Sequence, residues 1–236
     1  MYCYKSRVRY SEVDSEQQLT FLGLLNYLQD CCTFQSEDLG IGIDYLKENQ
    51  VAWVLSSWQV EVNRRPRLGE MITVNTWPYE FGGFFGYRNF TVQDEQGEIC
   101  AYANSVWVFM DMKAGRPSRL LPEVNTAYQV EPKYPMEYAK RKLTLPQEME
   151  KQAGFVVQPE QIDTNHHVNN ERYVAMAQRF VPIGSRICSM QAEYKSAAVL
   201  GDNIFPFVSK NDRIITVSLA DDKGKPYAIV KFEIEA

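Results

Sequence analysis

Thr20-Phe21-Leu22-Gly23-Leu24-Leu25-Asn26-Tyr27-Leu28-Gln29-Asp30-Cys31-Cys32 is the stretch from which the fold follows. Phe21, Leu24, Leu25, Leu28 and Cys32 recur at steps of three and four, which lays one apolar stripe along an α-helix. Gly40 is placed to stop it, so the spacing predicts a helix from Leu19 to Leu39. A helix this apolar needs a cover, and the cover follows in the chain. Residues 51–63, 71–79, 84–94 and 98–112 are rich in Val, Trp, Tyr, Phe and Thr and are separated by Pro66-Arg67-Leu68-Gly69, Gly82-Gly83 and Asp94-Glu95-Gln96-Gly97, the composition of strands joined by tight turns. With a strand over residues 2–10 ahead of the helix, the pattern is one helix and an antiparallel meander.

The same pattern then returns. Residues 122–154 carry prolines at 122, 132, 135 and 146 with little periodicity and read as a linker lying over the surface. Beyond it come a strand near 155–157, a helix over 170–180 marked by Tyr173, Met176, Ala177 and Phe180, and strands near 186–196, 203–209, 213–220 and 226–235. Two local matches support an internal duplication. Glu61 stands eight residues before Gly69, as Glu193 stands eight before Gly201, and Asp94-Glu95-Gln96-Gly97-Glu98 matches Asp221-Asp222-Lys223-Gly224-Lys225. The expected organisation is a first domain over 1–121, the linker over 122–154 and a second domain over 155–236. The class is α+β, each half a long helix wrapped by an antiparallel sheet.

Both histidines of the chain lie in Asp163-Thr164-Asn165-His166-His167-Val168-Asn169-Asn170, immediately before the second helix. If this segment is extended, alternation puts Asp163, Asn165 and His167 on one side and turns His166 away. An acid, an amide and an imidazole on one face can hold and polarise a water. Either the imidazole or the carboxylate takes the proton, and the amide orients. Asn169 or Asn170 is placed to cap the helix, whose N-terminus favours negative charge developing on a carbonyl oxygen. Asp14 precedes the first helix as Asp163 precedes the second, with no histidine beside it.

Composition narrows the alternatives. A net charge of -5 argues against nucleic acid as a partner. Cys3, Cys31, Cys32, Cys100 and Cys188 form neither a zinc pattern nor a disulfide framework and read as reduced thiols. No segment reaches the ~20 apolar residues of a membrane span and the N-terminus lacks the apolar core of a signal peptide, so the expected compartment is the cytoplasm. The adjacent pair His166-His167 is a poor metal site, because neighbouring side chains of an extended chain diverge. Dinucleotide fingerprints and serine-hydrolase elbows are absent from the sequence.

Three stretches resemble the acyl-acyl carrier protein (acyl-ACP) thioesterases, which release fatty acids by hydrolysing an acyl thioester. They are Asp163 to Asn170, similar to the family's Asp-x-Asn-x-His-Val-Asn-Asn signature; the run from Trp53 to Trp77 with Trp58-Gln59-Val60 and Arg64-Arg65-Pro66; and Ser105-Val106-Trp107-Val108. The resemblance implies a tandem double hotdog and a cofactor-free, metal-free thioester hydrolase of fatty-acid biosynthesis. It implies Asp163, Asn165 and His167 as the catalytic trio and acyl carrier protein bearing an acyl-phosphopantetheine as the partner, with the enzyme a monomer or homodimer. It also places Leu24, Leu28 and Phe34 of the first helix toward an acyl cavity. Plant members carry a Glu-Cys pair after the strand that here reads Glu193-Tyr194-Lys195-Ser196-Ala197-Ala198, so neither a carboxylate base at 197 nor a cysteine nucleophile at 198 exists, and activated water is the remaining nucleophile. Arg64, Arg65, Arg67, Arg88, Lys113, Arg116 and Arg119 read equally as protected strand edges or as a docking patch for an acidic carrier protein. The rival readings are an acyl-CoA thioesterase and a non-catalytic acyl-binding protein.

Overall fold

The apolar stripe forms the helix it predicts. In the computed structural model, which describes residues 1–235, α1 (Phe21–Asp38) starts at Thr20, whose hydroxyl accepts the Gly23 N–H at 3.0 Å. It ends where Gly40 turns with φ +71°, a conformation open to glycine because it has no Cβ. Leu24, Leu25, Leu28, Cys31 and Cys32 are buried, each apolar side chain contributing about 1.5–3 kcal/mol on full burial. Phe34 departs from expectation: it is 40% exposed, with its ring edge-on to Tyr4 at 5.2 Å.

Two units divide the chain, Met1–Ser56 with Val60–Tyr138, and Ser57–Gln59 with the chain from Ala139 onward. In the first, β1 (Tyr2–Arg7), β2 (Val51–Val62), β3 (Met71–Gly82), β4 (Phe85–Gln93) and β5 (Ile99–Asp111) lie in the order β1-β3-β4-β5-β2. The pairs β1·β3, β3·β4 and β4·β5 are antiparallel. The unit also contains α2 (Ile43–Glu48), β6 (Arg116–Pro117) paired with the end of β5, and α3 (Pro122–Ala127).

The faces of this sheet differ as pleating requires. Phe90 and Val92 are fully buried and share the face of Arg88, which reaches Gln35 on α1. On the opposite face Asn89 accepts the Tyr134 N–H at 3.1 Å and the Tyr138 hydroxyl at 2.8 Å. Trp77 donates to the Pro132 carbonyl at 2.9 Å. The proline-rich stretch through 130–138 therefore lies along the outer side of the sheet, where its backbone satisfies polar side chains that would otherwise be buried unpaired.

The second unit contains β7 (Glu150–Lys151), β8 (Phe155–Val156), α4 (Asn170–Gln178), β9 (Ile187–Tyr194), β10 (Asn203–Asn211), β11 (Ile214–Ala220) and β12 (Pro226–Ile234). Its strand order is β9-β12-β11-β10-β7, with β8 also on β10. Tyr173, Val174, Met176 and Ala177 of α4 are buried. The matched hairpin turns are alike in their hydrogen bonds: Asp94 and Asp221 each accept two N–H groups through Oδ1, from Gln96 and Glu98 and from Lys223 and Lys225, at 2.8–3.0 Å. Gly97 and Gly224 take φ of +85° and +78°. No helix among the described residues is long and apolar enough to cross a membrane.

Candidate active site

Asp163 to His167 is a closed turn, not the extended segment that alternation requires. The Asp163 N–H donates to the His167 carbonyl at 2.8 Å, the His166 N–H to the Asp163 carbonyl at 3.1 Å, and Ile162 and Val168 form a β-bridge across the base. Asp163 Oδ1 accepts the N–H groups of Asn165 at 2.8 Å and His167 at 3.4 Å. A carboxylate that bonds backbone two and four residues on gives the chain an alternative to a strand. His166 absorbs the reversal at φ +62°. The turn still gathers the trio within five residues. Asn165 is exposed at its tip, Asp163 and His167 are half-buried at its two ends, and His166 is exposed.

None of the three side chains bonds another. Among the described residues no group hydrogen-bonds Asp163 Oδ2, the Asn165 amide or the His167 imidazole. Two residues beyond His167, Asn169 caps α4 by accepting the Glu171 N–H at 3.0 Å through Oδ1. Of the two asparagines the sequence offered as the cap, Asn169 serves, and Asn170 is the first helical residue.

The segment after β9 closes one side of the turn. The Val168 N–H donates to the Ala198 carbonyl at 2.9 Å, and the Ala198 N–H donates to the Tyr173 hydroxyl at 2.7 Å. Burial pushes the Tyr173 phenol up to about 12, so it remains a neutral partner. Tyr194 donates to the Asn170 carbonyl at 3.0 Å. Glu171 is buried, and its carboxyl is raised by that burial, against which the Arg172 guanidinium acts. In the sequence Tyr173 reads only as a member of the helix's apolar stripe and Glu171 as an exposed dipole partner in a first helical turn, so neither stands out beside the trio.

The other candidates fall to structural roles. Glu70, Asp94 and Cys100 offer ligand atoms within 4.8 Å of one another, but the Arg64 guanidinium pairs with both carboxylates, reaching Asp94 at 2.7 Å. That cation already occupies an oxygen of each carboxylate. Arg65 pairs with Asp14 at 2.7 Å, and Arg88 is buried against Gln35, Thr76 and the ring of Tyr128. Three of the seven basic residues weighed for a docking patch are thus committed inside the first unit. Cys31, Cys32 and Cys100 are buried. Burial pushes their thiols up, to about 11 for Cys32 and Cys100, which leaves them poor nucleophiles.

A family model described as the acyl-ACP thioesterase N-terminal domain matches residues 1–128. The chain belongs to the acyl-ACP thioesterase family. The crystal structure of an acyl-ACP thioesterase from Bacteroides thetaiotaomicron superposes with a TM-score of 0.89 at 27% identity, covering 99% of this chain and 97% of that one. The 12:0-ACP thioesterase from Umbellularia californica shares the fold, with a TM-score of 0.87 at 22% identity over 99% of this chain and 96% of that one. The fold of this acyl-ACP thioesterase family member is thus the tandem double hotdog. In sequence the chain is 28% identical over 205 residues to the chloroplastic acyl-[acyl-carrier-protein] hydrolase FATB1 of Cuphea viscosissima, covering 80% of this chain and 49% of that protein. It is 25% identical over 199 residues to oleoyl-acyl carrier protein thioesterase 1 of Arabidopsis thaliana, covering 76% and 55%. The chain spans about half the length of these plant relatives.

Proposed function

We propose that this chain hydrolyses the thioester of acyl-ACP in fatty-acid biosynthesis, working in the cytoplasm as a monomer or homodimer without metal or organic cofactor. Water attacks the thioester carbonyl carbon, the tetrahedral intermediate collapses with cleavage of the C–S bond, and the proton given up by water reaches the leaving phosphopantetheine thiolate. The products are a free fatty acid and a thiol. Asp163, Asn165 and His167 are the residues assigned to this step. Asp163 Oδ2 or the His167 imidazole accepts the water's proton, worth about 10²–10⁴ in rate for a well-placed base. Asn165 orients, and the N-terminus of α4 favours the oxyanion.

The observation that carries this reading is the turn itself. It presents a carboxylate oxygen, an amide and an imidazole at the head of a helix, and no described side chain hydrogen-bonds any of them. Ala197 and Ala198 stand where plant relatives carry a Glu-Cys pair, so the nucleophile in this scheme is water. The test compares thiol release from one acyl group carried by acyl carrier protein and by coenzyme A, over graded chain lengths. Faster release from acyl carrier protein is expected. Tight acyl binding with no thiol release from either carrier refutes the proposal.

A further inference from the structure

The turn that carries Asp163 has a twin in the first unit, and the two differ at one decisive contact. The Asp14 N–H donates to the Gln18 carbonyl at 2.9 Å and the Gln17 N–H to the Asp14 carbonyl at 3.0 Å. Val13 bridges Leu19, and Gln17 has φ +61°. Asp14 Oδ1 accepts the N–H groups of Glu16 and Gln18 at 2.9 and 3.0 Å. Each of these features matches one at Asp163. The segment after the following strand is equivalent too. The Leu19 N–H donates to the Pro66 carbonyl at 2.7 Å as the Val168 N–H donates to that of Ala198, and Gly69 and Gly201 have φ of +82° and +87°. Val8 donates to the Glu70 carbonyl and accepts from Gly69, as Val157 donates to Asp202 and accepts from Gly201. Pro66 therefore corresponds to Ala198, and Arg65 to Ala197.

Arg65 is the contact that has no counterpart. Its Nη1 lies 2.7 Å from Asp14 Oδ2, so both oxygens of the first aspartate are occupied, one by backbone and one by a guanidinium. At the second turn the equivalent position is Ala197, too short to reach, and Asp163 Oδ2 is left without a partner among the described residues. We propose that the residue at position 197 decides whether Asp163 Oδ2 is available: Arg65 clamps the aspartate of the first turn, which also lacks the amide and the imidazole, and the short side chain at Ala197 keeps Asp163 Oδ2 open for water and the thioester. Asp163 then divides its work, Oδ1 holding the turn and Oδ2 facing the reaction. This inference rests on Asp163 being part of the hydrolytic site, and it makes Ala197 a positioning residue that acts by what it leaves uncovered.

The experiment installs the missing clamp. A197R places a guanidinium where Arg65 stands in the first unit. It should raise the melting temperature by about 2 °C or more, an increase absent when A197R is made in the D163N background. Turnover should fall by about 10²-fold or more. R65A, which frees Asp14, should lower the melting temperature and leave turnover within about threefold, because Glu16 and Gln18 replace the amide and imidazole there. A stability gain from A197R that persists in D163N overturns the equivalence of the two positions. A clamp that forms, with turnover kept within about threefold, overturns the role assigned to Oδ2. A parent protein inactive on every acyl thioester sinks the hydrolase reading instead, while the stability comparison still judges the clamp.

Discussion

Two substitutions at Asp163 separate holding the turn from doing chemistry. In Asp163→Asn the amide oxygen can still accept the Asn165 and His167 N–H groups, while the second position becomes an NH₂ and the negative charge is lost. In Asp163→Ala both backbone N–H groups lose their acceptor. Those bonds measure 2.8 and 3.4 Å, and the Asn165 end is exposed, so water replaces part of what is removed. The loss is about 1–2 kcal/mol for Asp163→Ala and under about 1 kcal/mol for Asp163→Asn. Turnover behaves differently. Both variants lose the group that holds or deprotonates water, so both should fall by about 10²–10⁴-fold, equivalent to about 2.7–5.5 kcal/mol of transition-state stabilisation. Asp14→Asn and Asp14→Ala provide the control, with a stability loss in each and no loss of turnover. The assays are denaturant midpoints and thiol release from acyl-ACP at saturating substrate. Turnover of Asp163→Asn within about threefold of the parent would refute the reasoning, as would equal destabilisation by Asn and Ala at this position.

His167→Ala should keep the denaturant midpoint close to the parent value and cut turnover by about 10²–10⁴-fold with a smaller change in KM; steady-state kinetics beside circular dichroism checks both. Replacing Cys3, Cys31, Cys32, Cys100 and Cys188 one at a time by Ala or Ser should leave turnover within a modest factor, read by the same assay, since Cys31, Cys32 and Cys100 are buried with raised thiol pKa values and position 198 holds Ala. The Asp14 carboxyl is raised by burial, but hydrogen bonds from the Gln18 and Glu16 N–H groups together with Arg65 outweigh this and hold it below the ordinary value. A depressed folded-state pKa stabilises above the unfolded aspartate value, and that stability is lost as pH falls through the folded one. The melting-temperature gap between the parent and Asp14→Asn should therefore be full near neutrality and close as pH drops below about 4; a gap independent of pH would contradict the ion pair.

The long helix, the main strands and their duplication were readable from residue order, because those depend on short-range periodicity; α2, α3 and β7, which lie where the sequence shows little periodicity, were not. The steps of three and four from Phe21 to Cys32, the turns at Asp94 and Asp221, and the equal spacing from Glu61 to Gly69 and Glu193 to Gly201 are local signals, and each survives in the structure. The trio was legible as a cluster for the same reason, since five residues cannot lie far apart. Its conformation was not. Alternation suits an extended chain, whereas Asp163 captures two backbone N–H groups and closes the segment, a competition between side-chain and strand hydrogen bonding that residue identities alone leave open. Folding alone brought Arg65 across 51 residues to Asp14 and the Ala198 carbonyl to the Val168 N–H beside the second turn. The charge on Arg65 was visible from the start, but whether a charge faces solvent, a partner protein or a carboxylate depends on where the next strand returns, and that is fixed by packing around the helix, not by neighbours in the chain.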